Sequence, residues 1–136
     1  MSYLVDTNVI SELIKREPNQ GVVTFLNRID ESDLYISVLT VGELRKGIEL
    51  LKDSKKKQEL VIWLEQELIP RFNDRLLTIS LPVTERWGRL MAKAKKTLSA
   101  IDSLIAATAL HHDLALVTRN TSDFEIPTLE VFNPWL

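Results

Sequence analysis

The chain has 136 residues, 45% of them hydrophobic and 26% charged, which fits one globular domain and excludes disorder, collagen and a bare coiled coil. With 17 Lys+Arg against 19 Asp+Glu the formal charge is −2, which argues against a protein that grips nucleic acid with its whole surface. The absence of cysteine removes disulfide scaffolds, thiolate nucleophiles, zinc ribbons and iron–sulfur clusters.

The chain order reads as strands alternating with helices. Tyr3 to Val5 is a short apolar run that ends in Asp6, and Thr7-Asn8 then opens a helix with Val9, Ile10, Leu13 and Ile14 on one face. A second helix is expected from Gly21 to Ile29, a β-prone run from Leu34 to Val38, and a helix starting at Thr40 with Leu44, Ile48 and Leu51. Asp53 to Arg71 reads as an amphipathic helix stopped by Pro70, and Leu76 to Ser80 as a strand. Pro82 to Lys96 is a helix with one basic face. Ser99 caps the next, Ala100 to His112, which is apolar nearly all round and so predicted to be the buried central helix. Leu114 to Thr118 and Leu129 to Phe132 close the series as strands. The alternation implies a single α/β domain over residues 1–136, its parallel sheet covered on both faces and its ligands bound beyond the carboxyl ends of the strands.

No apolar run approaches the roughly 18 to 20 residues that a membrane span needs, and the N-terminus does not read as a signal peptide. A soluble, cytoplasmic chain without a membrane partner is expected. The two histidines, His111 and His112, are adjacent on a helix, so their side chains should diverge by about 100° and not share one ion. Any metal is therefore expected on oxygen.

Four acids fall at the expected binding edge: Asp6 after the first strand, Glu43 and Asp102 in the first turns of their helices, and Asp123 after the fourth strand. Taken singly each has a bland explanation. Asp6 is placed as an N-cap, Thr40–Glu43 and Ser99–Asp102 have capping-box spacing, and Asn120–Asp123 resembles one. Together they ask for more, because two carboxylates about 4 Å apart repel by roughly 4 kcal/mol at an effective dielectric near 20, while a helix N-terminus offsets only about 0.3 to 1 kcal/mol. Such a cluster calls for a hard cation, Mg²⁺ or Mn²⁺, and hence for metal-assisted phosphodiester hydrolysis. Thr7 and Asn8 are placed to orient a carboxylate or a bound water, or simply to start a helix.

The opening Tyr3-Leu-Val-Asp6-Thr-Asn8-Val-Ile-Ser-Glu-Leu, the middle Ser37-Val-Leu-Thr-Val-Gly-Glu43-Leu-Arg-Lys-Gly47 and the later Ile101-Asp102-Ser-Leu-Ile-Ala-Ala-Thr-Ala-Leu carry a resemblance. With Leu116-Val-Thr-Arg-Asn120-Thr-Ser-Asp123-Phe, these stretches resemble PIN-domain ribonucleases, and most closely VapC-like toxins of type II toxin–antitoxin systems. The resemblance implies a PIN-like α/β/α sandwich with a mainly parallel sheet of four to five strands. It implies a Mg²⁺-dependent endoribonuclease, with Asp6, Glu43, Asp102 and Asp123 as catalytic and metal-binding acids and Thr7 and Asn120 as polar helpers, the fourth acid being the most variable position. It also implies a homodimer silenced by a cognate antitoxin, with operator DNA bound only by the pair.

Setting the four acids aside leaves 15 acidic residues against 17 basic ones, so the remaining surface can receive a polyanion. Arg119, next to the site edge, is the first choice for an RNA phosphate contact. Arg45 and Lys46 flank Glu43, and Arg86, Arg89, Lys93, Lys95 and Lys96 form a basic face that is either solvated or RNA-facing. Lys55 to Lys57 read as solvated, and Trp63 and Trp87 as core or dimer anchors. Two rivals fit less well. A phosphoacceptor domain wants paired acids after its first strand and a late Lys, and a haloacid-dehalogenase-like phosphatase wants a second Asp where Asn8 stands. A PIN-like module that binds RNA or protein without cutting stays open, although all four acids speak against it.

Overall fold

The computed structural model describes residues 1–135. Five strands, β1 (Tyr3–Val5), β2 (Leu34–Ser37), β3 (Leu76–Leu77), β4 (Ala115–Val117) and β5 (Val131–Phe132), form one sheet in the order β3-β2-β1-β4-β5. Every pairing is parallel, with Leu4 opposite Tyr35 on one side and Leu116 on the other. Successive side chains of a strand face opposite ways, and the core divides accordingly. Val5 and Val117 join Val9, Ile36, Leu44 and Leu64 in one buried cluster, whereas Leu4 and Leu116 join Ile105, Ala106 and Phe124 in another. Burial on both faces explains why these strands read as continuous apolar runs.

The first face is covered by α1 (Thr7–Leu13), α2 (Gln20–Asn27), α3 (Val38–Glu49), α4 (Lys55–Ile62) and the turns that follow α4. The second is covered by α7 (Ala100–His111), against which α6 (Leu81–Lys93) packs. The side chains of Ser103 and Ile105 through Ala109 are buried, which makes α7 the central helix that its apolar circumference predicts. Trp87 of α6 donates through Nε1 to Ser103 Oγ at 2.8 Å, so this indole anchors the helix pair. Trp63 packs against the first core cluster.

Several boundaries differ from the sequence reading. Pro70 does not stop its helix: Trp63–Leu68 wind as π-type turns and α5 (Ile69–Arg71) continues through it. The Ile69 N–H reaches back five residues to Leu64 O, while Phe72 N–H again reaches four, to Leu68 O, so the ladder changes pitch beside the residue that has no N–H to give. Helix α3 starts at Val38, two residues before Thr40, because Ser37 Oγ accepts from Leu39 N at 3.0 Å. The strand expected through Ser80 stops at Leu77. Lys57 is more than a solvated cation, since its Nζ donates to Leu51 O at 3.2 Å and to Glu49 O at 3.5 Å, closing the end of α3.

The order of strands decides where a ligand can sit. From β1 the chain builds outward to β2 and β3, then returns across the sheet to β4 on the opposite side of β1. The switch point lies between the carboxyl ends of β1 and β4, where Asp6 and Thr118 emerge.

Candidate active site

Asp6 is the most enclosed acid of this rim, 6% exposed. Its backbone N–H continues the sheet by donating to Val117 O at 2.9 Å, and its side chain caps α1 by accepting from Thr7 N at 2.8 Å. A helix cap is thus present, yet it leaves the second carboxylate oxygen unexplained. That oxygen accepts from Thr118 Oγ1 at 2.8 Å, across 112 residues of sequence, and from Asn8 Nδ2 at 3.5 Å. Burial pushes the Asp6 carboxyl above its ordinary value. The bonds from Thr118 and Thr7 pull it down, and the negative charges of Asp102 and Glu43 push it up again.

Thr118 is the node the sequence reading missed. Fully buried, its hydroxyl donates to Asp6 and accepts from Asn8 Nδ2 and from Asn120 N, each at 3.2 Å. Asn8 also accepts from Arg119 N at 3.3 Å, so the turn after β4 is tied to the start of α1. A threonine ending a strand just before Arg119-Asn120 was the only available signal, because none of its side-chain partners but Asn120 is local.

Glu43 lies in the second turn of α3, and the Thr40 capping box expected for it does not form. Thr40 is buried and its Oγ1 lies 3.0 Å from Thr7 Oγ1, while the Thr7 hydroxyl donates to Glu43 Oε1 at 2.6 Å. Thr7 therefore bridges the helix after β1 to the helix after β2. Asp102 does sit in the first turn of its helix, where its N–H donates to Ser99 Oγ at 3.1 Å. Its partly exposed carboxylate accepts no hydrogen bond among the described residues.

Asp123 stands apart. It is exposed, in the 3-10 turn Thr121–Phe124, and its charge is not among those that act on Asp6. The Asn120–Asp123 contact is a backbone one, Asp123 N to Asn120 O at 3.0 Å, and the Asn120 side chain makes no capping bond. Two of the other acids, Asp102 and Glu43, thus act on Asp6, and the fourth lies on the neighbouring turn.

Arg119 carries its guanidinium 5.2 Å from the centre of the Trp135 ring, a cation–π contact that holds it at the rim. Its charge also reaches Glu12, whose carboxyl is held below the ordinary value by Lys15, 2.9 Å away, and by the Asn19 N–H. Arg45 turns away from the site to pair with Glu65 and Glu49. His111 and His112 do not diverge: α7 ends at His111, and the two rings meet edge to face with centroids 4.7 Å apart.

Among the described residues no three carboxylates or imidazoles stand close enough to enclose a metal ion. The donor set nevertheless suits a hydrated Mg²⁺ or Mn²⁺, which takes oxygen ligands, keeps several waters and is commonly held by one or two carboxylates. A cation would also offset the burial and the like charges of Asp102 and Glu43, which oppose ionisation of Asp6.

A family model described as the PIN domain matches residues 3–126. The chain belongs to the PIN-domain family. The chain is 43% identical over 135 residues to the protein named Toxin FitB from Neisseria gonorrhoeae, covering 97% of each chain. It is 38% identical to VapC ribonuclease Y4jK of Sinorhizobium fredii, over 97% of this chain and 96% of that one. The solved structure of FitAB bound to an IR36 DNA fragment superposes with a TM-score of 0.91 at 39% identity, covering 98% of this chain and 96% of the other. The resemblance seen in the sequence and the α/β fold with five parallel strands are thereby borne out.

Proposed function

We propose that the chain is a Mg²⁺-dependent endoribonuclease that serves as the toxin of a type II toxin–antitoxin pair in the cytoplasm. The observation that carries this reading is a buried aspartate at the switch point of a parallel sheet, its carboxyl raised first by burial and further by the charges of Asp102 and Glu43. Support comes from relatives that are named toxin and ribonuclease over nearly their whole length.

In this reading a hydrated ion, Mg²⁺ or Mn²⁺, would be held directly by one or two of Asp6, Glu43 and Asp102 and by the others through its waters, with Asp123 contributing from the adjacent turn. The chemistry the ion supplies there is activation of water and neutralisation of charge on the leaving oxygen of a phosphodiester. Thr118 and Thr7 fix the orientations of Asp6 and Glu43, Asn8 and Asn120 hold the turn after β4 against them, and Arg119, braced by Trp135, receives a phosphate of the RNA.

The proposed assembly is a homodimer silenced by a cognate antitoxin, through which operator DNA is reached. FitAB is a complex solved on DNA, which supports that arrangement. A groove of about 580 Å³ between α1, α2 and the π-type turns, lined by Ile14, Leu26 and Trp63 together with Glu31, Glu67 and Arg71, offers an amphipathic segment of such a partner both apolar and charged contacts. No helix among the described residues is long and apolar enough to cross a membrane.

The test uses the purified chain free of partner, incubated with total RNA. Cleavage is expected with Mg²⁺, none with chelator, and none for Asp6→Asn or Asp102→Asn variants that melt as cooperatively as the parent. Equal cleavage by parent and variants rejects the assignment; no cleavage by any of them with RNA still bound favours the non-cutting module.

A further inference from the structure

A cleft of about 730 Å³ opens where α6, the 94–98 connection and the loop 125–128 meet. Its walls carry Arg86, Arg89 and Lys93 from α6 and Lys95 and Lys96 from the connection, against a single carboxylate, that of Glu125. Glu125 lies 3.6 Å from Lys96, so the other cations face the opening without an acidic partner there. The floor is apolar, with Leu90, Leu98, Leu110 and Ile126 partly buried beneath the charges.

The cleft adjoins the candidate active site through two short pieces of chain. Lys96 Nζ donates to Ser122 O at 3.2 Å, one residue before Asp123. Three residues beyond Lys96, Ser99 caps the helix that carries Asp102. A strand leaving the acidic rim on this side therefore meets cations at once.

We propose that this cleft is an RNA subsite for nucleotides flanking the scissile phosphate. Arg86, Arg89, Lys93 and Lys95 neutralise successive phosphates, and the apolar floor receives an unstacked base. An apolar floor under four cations that make no ion pair among the described residues matches a single-stranded polyanion, whose bases offer apolar faces and whose backbone carries one charge per residue. A duplex cannot present a base to such a floor without unpairing it. This subsite rests on the ribonuclease reading, but binding reports on it without catalysis.

The test is fluorescence anisotropy of a labelled single-stranded RNA with the intact chain in chelator, measured across salt concentrations. Neutralising phosphates on a single strand contributes about −0.7 each to the slope of log affinity against log salt. Arg86→Ala with Lys93→Ala is expected to flatten that slope by about 1.4 and to weaken binding roughly 25-fold at 0.1 M salt. The control pair Lys55→Ala with Lys56→Ala removes equal charge elsewhere and is expected to change neither quantity appreciably. Leu90→Ser is expected to weaken binding while leaving the slope unchanged. Equal losses in the two charge pairs, or an unchanged affinity in the first, overturn the proposal. If the parent binds RNA through the cleft yet never cleaves it, the cleft stands as a single-stranded RNA site and the ribonuclease reading fails.

Discussion

Asp6 shows how a single residue serves local structure and chemistry at once. One oxygen caps α1 and the other is held by a hydroxyl from β4, while burial and two like charges oppose its ionisation. An acid whose folded pKa lies above its unfolded one binds its proton more tightly when folded, so the fold loses stability as pH rises from the ordinary aspartate value of 3.8 towards the raised one. Above that window the loss is complete and constant. In metal-free buffer the pH dependence of urea denaturation is expected to show this decline for the parent and a flatter profile for Asp6→Asn; parallel profiles contradict it. At this scale the sequence displayed Asp6 and Asp102, because a strand end and a helix cap are local patterns. It could not display Thr118, whose value lies in a partner 112 residues away.

At the scale of elements, helix starts set the positions of the acids. Ser99 fixes the first turn of α7, and hence the backbone under Asp102; Ser37 does the same for α3 and, one turn on, for Glu43. Replacing either serine by alanine is expected to lower stability by about 1 kcal/mol in urea titrations. The variant at 99 should also reduce RNA cleavage, by loosening Asp102. Sequence periodicity found these helices but misplaced the start of α3, since Thr40 resembles a cap until its hydroxyl is seen to serve Thr7. It also missed the π-type turns before Pro70, because a count of 3.6 residues per turn has no way to register a local change of pitch.

For the molecule as a whole, the parallel order β3-β2-β1-β4-β5 brings the strand ends to one rim, so carboxylates from distant segments gather without any one segment specifying the pocket. The like charges of Asp102 and Glu43 oppose ionisation of Asp6, and in the metal-dependent reading a bound divalent ion would offset them. Saturating Mg²⁺ at about 100 times its dissociation constant is expected to stabilise the parent by roughly 2.7 kcal/mol, read as a higher melting temperature, and to do little for Asp102→Asn. Equal shifts in both proteins, or none, remove the ion from these residues. The fold class was legible because both faces of the sheet are covered, and that makes its strands uniformly apolar.

The tie between Asp6 and Thr118 also has a bearing on biosynthesis. Made from the N-terminus, the chain presents Asp6 early, but the hydroxyl that orients it belongs to the end of β4 and is translated 112 residues later. Until that strand slots in beside β1, only the local bonds from Thr7 and Asn8 orient the aspartate. A nascent chain thus carries an unassembled carboxylate rim until β4 has been made and paired.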